Sequence, residues 1–99
     1  MAWRVRKSSG DVFRDLGFDA VEAESLRLRS ELIVRVRDAI EQRGWTQKEA
    51  ARHLGVSQPR ISDLVRGKIG RFSMDALVAM LTRAGVDLEI GPARQPRVA

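Results

Sequence analysis

Residues 46–67, TQKEAARHLGVSQPRISDLVRG, constrain this chain more than any other stretch, because caps, turn and apolar positions converge on one local geometry. Thr46 with Glu49 three positions on spells a capping box. The hydroxyl can accept from the amide of the third helical residue, and the carboxylate can reach back to the Thr46 amide. A short helix is therefore expected from Gln47 to about Leu54. Gly55 supplies a tight turn, since a residue without Cβ enters positive φ at little steric cost. Ser57 is placed to cap a second helix, with Pro59 in its first turn, where a missing N–H removes no hydrogen bond. Gly67 stands where a helix C-terminal glycine belongs. Two short helices joined at an angle by a glycine-containing turn make a helix-turn-helix.

The side chains fit that geometry. The inward places are Ala50, Ala51, Leu54, Val56, Ile61 and Leu64, all small or apolar, with Ala51 where the two helices approach most closely. The outward places hold Lys48, Arg52, His53, Gln58, Arg60, Ser62, Asp63 and Arg66. An ordinary helical hairpin would show the same apolar spacing, so charge has to separate the two. The chain carries a net charge of +5. Residues 1–44 hold nine cations and eight anions, residues 45–71 six cations and two anions, and residues 72–99 three of each. Four of the five net charges thus fall on the motif segment, as a phosphate-facing surface requires and a generally basic protein does not.

Other classes find little support. At 99 residues the chain allows one domain with a modest core. With no Cys, disulfides and thiolate metal sites are excluded. No apolar run approaches the roughly 20 residues that span a bilayer, and the N-terminus lacks a signal-peptide core, so no membrane partner is expected. The single His, His53, has only Glu49 at helical spacing and no set of partners for a metal. The GKIG stretch lacks the first glycine and the Ser/Thr of a phosphate loop. No catalytic residue, metal or cofactor is expected, although a basic nuclease remains conceivable.

The remainder reads as support for the motif. Residues 1–18 form an N-terminal arm that either meets a partner or caps the core. Residues 2–7 suit a short strand or a basic arm, and 11–18 a helical turn ended by Gly17; Phe13 and Phe18 are expected to close one end of the core. Asp19 with Glu22 caps a long helix over residues 20–43, whose apolar face is Leu28, Leu32, Val36, Ala39 and Ile40. Ser30 is a candidate break in it, Glu31 and Arg35 a candidate i,i+4 pair, and Val34 falls off the stripe. Trp45, just ahead of a cap, is expected to pack against the following helix rather than stack on a base. Phe72 and Leu77 frame Ser73 as a hydrophobic staple, opening a helix over 74–83 that Gly85 closes. Residues 86–90 (VDLEI) alternate as a half-buried strand does, and need a partner strand from residues 2–7 or from another chain. Residues 91–99 are expected to be a flexible tail.

The motif resembles the XRE/Cro-type helix-turn-helix regulators of bacteria and phages. The wider stretch, with FRDLGF ahead of the motif and FSMDAL after it, is similar to the HigA-type antitoxins. The resemblance implies a mainly α fold of four to five helices with a short C-terminal strand, residues 19–90 forming the DNA-binding domain. It implies a cytoplasmic, nucleoid-associated homodimer on a palindromic operator in double-stranded DNA, repressing its own promoter, with an RNase-type toxin as protein partner. A free-standing repressor of the same family, a protein-binding module and an RNA-binding protein are the alternatives. The dimer surface could be formed by residues 86–90, the last helix or the N-terminal arm.

In such proteins the second motif helix enters the major groove. Base readout accordingly falls to Ser57, Gln58, Pro59, Arg60, Ser62 and Asp63. Gln58 can offer adenine both a donor and an acceptor. Arg60 can take guanine or clamp a phosphate, and Asp63 can accept from cytosine or orient an arginine. Gln47, Arg66, Lys68 and Arg71 are expected on phosphates, where they add affinity without sequence information.

Overall fold

The computed structural model describes residues 3–5 and 16–90. It is mainly helical. In chain order it contains β1 (Trp3–Val5), α1 (Ala20–Arg43), α2 (Gln47–Leu54), α3 (Gln58–Val65), a 3-10 turn (Ile69–Arg71), α4 (Met74–Arg83) and β2 (Leu88–Ile90). The two strands pair in parallel within the chain, Trp3 opposite Leu88 and Val5 opposite Ile90. The helical turn expected ahead of Gly17 and the tail from residue 91 lie outside the described residues, apart from Leu16, Gly17 and Phe18. Phe18 is 39 % exposed and does not belong to the buried cluster.

Each helix begins on the cap that its sequence supplies. Asp19 accepts from the Glu22 amide at 2.8 Å, and Ser73 from the Ala76 amide at 3.1 Å. Helix α1 runs unbroken to Gly44, which takes the left-handed conformation at φ 65°. Ser30 makes no break. One Ser costs a helix little when its neighbours bury a continuous stripe, here Ala23, Arg27, Leu32, Ile33, Val36, Ala39 and Ile40.

That stripe is the backbone of the core. Leu32, Val36 and Ile40 of α1 share one buried cluster with Leu54 of α2, Ile61 and Leu64 of α3, Phe72, and Leu77, Met80 and Leu81 of α4. Leu28 is only partly buried, and Val34 stands 49 % exposed. One placement differs from the expected ones. Ile33 is buried, because α1 is covered on a face wider than one row of residues. Glu31 meets Arg27 at 2.8 Å. Arg27 is itself buried at 6 % exposure, held by Glu24 and Glu31 one turn to either side. Burying an arginine is tolerable only with its charge paired. At the far end of α1, Arg43 donates to the Ala84 carbonyl and ties the ends of α1 and α4 together.

Candidate nucleic-acid interface

The interface is built from α2, α3 and the turn that follows. The capping box forms in full: the Glu49 amide donates to the Thr46 hydroxyl at 3.1 Å, and the Thr46 amide to the Glu49 carboxylate at 2.9 Å. The donated backbone hydrogen bond holds the Glu49 carboxyl below its usual value. Gly55 turns the chain at φ 71°, and the Val56 amide donates to the Ala51 carbonyl at 3.1 Å across the turn. Ala50, Ala51 and Leu54 from α2 and Ile61 and Leu64 from α3 are buried, with Val56 partly so. Those contacts fix the angle between the helices. Trp45 packs on the core edge and stacks on His53, ring centroids 4.3 Å apart and planes 11° from parallel. The Arg43 guanidinium lies 5.5 Å from the Trp45 ring. The indole is thereby engaged by its own chain on the side of α2.

The expected site residues fall into two groups. Ser57 caps α3 by accepting from the Arg60 amide at 3.3 Å. Gln58 and Pro59 open the helix, and both are exposed. Gln47 is exposed at the first position of α2, and Arg66 just past the end of α3. Ser62 is half-buried. Of these residues, Gln47, Ser57, Gln58, Pro59 and Arg66 face solvent.

The second group is engaged by its own chain. Arg60 donates to the Arg71 carbonyl at 2.6 Å, and its guanidinium lies 4.5 Å from the centre of the Phe72 ring. Asp63 faces Lys68 and Arg71, with each cation's nitrogen 3.6 Å from one of its carboxylate oxygens. The turn over residues 69–71 is thus gripped from α3. It is also gripped from α1, where Arg29 donates to the Phe72 carbonyl at 3.2 Å. Ile69 packs against the core beneath it. Residues 68–71 are therefore a shaped platform rather than the plain basic loop that their composition suggests.

Sequence reasoning missed Arg29 as a strut and Arg27 as a buried ion. A signal existed for Arg27, which lies four residues after buried Ala23, with Glu24 and Glu31 at salt-bridging spacing. None existed for Arg29, whose acceptor is a backbone carbonyl 43 residues away.

A family model described as a helix-turn-helix domain matches residues 12–91, most of the chain. The protein belongs to that helix-turn-helix domain family. It is a helix-turn-helix regulator, and its partner is DNA. Among curated proteins none matches the chain. Among the described residues no helix is long and apolar enough to cross a membrane.

Proposed function

We propose that this protein is a transcriptional repressor of the XRE/Cro type that binds a palindromic operator as a homodimer, and that it belongs to the HigA-like antitoxin branch. Helix α3 enters the major groove by its N-terminal end. The observation that carries the reading is the contrast within α3: Gln58 and Pro59 at its start are exposed, while Ile61 and Leu64 lock the helix to the core. Gln58 reads adenine through its amide, flanked by Ser57, Pro59 and Ser62. Arg60 reaches a guanine only by leaving the Arg71 carbonyl and the Phe72 ring. Gln47, Arg66, Lys68 and Arg71 sit on phosphates.

The antitoxin role rests on a separate surface. Leu16 and Val21 expose apolar side chains, at 70 % and 80 %, around the start of α1. In this reading they meet the RNase-type toxin while α3 stays on DNA.

Selection from a random duplex library tests the DNA part. An inverted repeat with half-sites about one helical turn apart supports the dimeric repressor. Sequence-blind enrichment refutes it. Affinity capture from source cells tests the antitoxin part: a stoichiometric small basic nuclease supports it, and no such partner leaves a free-standing repressor.

A further inference from the structure

Segment 45–71 contains only two anions, Glu49 and Asp63. Glu49 is explained by the capping box. Asp63 caps no helix. It lies in the last turn of α3, where the helix dipole disfavours a negative charge, and its side chain is only 18 % exposed. An acid there also sits beside the surface that a polyanion would approach. What surrounds it accounts for its presence: Lys68 Nζ and Arg71 Nη1 lie on its two oxygens, both at 3.6 Å. Those cations are 42 % and 61 % exposed, so their outer faces remain open to a phosphate. The backbone beneath is fixed as well. The Lys68 amide donates to the Asp63 carbonyl at 3.0 Å, and Arg60 and Arg29 hold the carbonyls of Arg71 and Phe72.

We infer that Asp63 is a specificity-determining positioning residue, whose carboxylate holds Lys68 and Arg71 in one place and withholds them from phosphates that lie elsewhere. The inference rests on the DNA-binding reading above. On an operator, base contacts by α3 set the register, and phosphates fall where the two cations already stand. Their ordering is then complete before binding, which favours the complex. On unrelated duplex no base contact sets the register. The cations must swing to reach phosphates, and the ion pairs with Asp63 oppose that movement. Asp63 therefore weakens sequence-blind binding more than operator binding, and widens the ratio between them.

The test uses the full chain and two duplexes, a selected operator and a random sequence, titrated by fluorescence anisotropy over a range of salt. Asp63→Asn keeps the size of the side chain and removes its charge. Random-duplex affinity should rise about three- to tenfold, with the log–log salt slope steeper by up to about one unit. Operator affinity should change by less than about threefold, since its phosphates already meet the cations where Asp63 places them. In a Lys68→Gln/Arg71→Gln background the same substitution should do almost nothing. A full effect in that background would overturn the inference, because Asp63 would then repel DNA directly. Unchanged binding to random duplex would overturn it too, as would a loss confined to one base pair of the operator, which marks a base reader. If the wild-type chain bound neither duplex, the DNA-binding reading itself would fail, a result distinct from all of these. Should Asp63→Asn melt early, Asp63→Ser gives the same comparison at smaller volume.

Discussion

Phe72 joins the fold to the interface, and replacing it with leucine separates its two duties. The ring is fully buried, inside the cluster to which all four helices contribute. Its face carries the Arg60 guanidinium at 4.5 Å, and Arg60 in turn holds the Arg71 carbonyl. Phe72→Ala would cost about 3–5 kcal/mol through the lost transfer energy and the cavity left behind. That is a large part of the roughly 5–15 kcal/mol that holds a small domain folded, so the alanine variant informs little. Leucine keeps most of the apolar volume and should cost under about 1.5 kcal/mol in packing. Losing the ring face under a partly exposed cation adds about 0.5–1 kcal/mol. The sum, about 0.5–2.5 kcal/mol, corresponds to a fall in melting temperature of about 2–20 °C for a domain of this size. Thermal and urea unfolding of wild type, Phe72→Leu, Arg60→Gln and the double variant measure both parts. The double-mutant cycle should return a coupling of about 0.5–1 kcal/mol between the two side chains. A melting temperature within experimental error of wild type, or a coupling near zero, would refute the claim that Phe72 seats Arg60.

Three further outcomes are expected. Lys68→Ala should weaken operator binding, weaken random-duplex binding less, and flatten the operator log–log salt slope by about one unit; an unchanged slope removes Lys68 from the phosphate contacts. Gly55→Ala should cost about 1–2 kcal/mol in thermal unfolding, since the turn sits at φ 71°. The added Cβ also falls 2.8 Å from the Arg83 guanidinium, which can swing away, so backbone strain dominates that cost. Glu49 has its carboxyl held low by the Thr46 amide, so its contribution is present above its unfolded pKa and is lost as pH falls through the folded value. Helix content should therefore decline on acidification below the ordinary glutamate value of 4.5, and Glu49→Gln should remove that part of the decline. Identical acid titrations of the two proteins by circular dichroism would dismiss the argument.

What could be read in advance was local. Capping residues act within one turn, so Asp19, Thr46, Ser57 and Ser73 announced four helix starts, and the structure has a helix beginning after each. The buried faces of α2 and α3 were equally legible, because a period near 3.6 residues is written in consecutive side chains. The grip on the turn at 69–71 was not. Arg60 and Arg29 donate to carbonyls, which every residue possesses, and nothing in residue type marks one carbonyl over another. Asp63 lay between: its sign was odd for a phosphate-facing helix, but only the fold shows which cations answer it. Ser30 misled because a weak local preference was set against burial of a long stripe, and burial is the larger effect.

The central claim is that the N-terminal end of α3 reads bases, with Gln58 foremost. Comparing wild type with Gln58→Ala on a selected operator and on random duplex, by fluorescence anisotropy at two salt concentrations, tests it most directly. The account predicts a loss of roughly 1–3 kcal/mol on the operator, relaxed preference at one base pair, and little change on random duplex. Equal losses on both duplexes, or none on either, would contradict it.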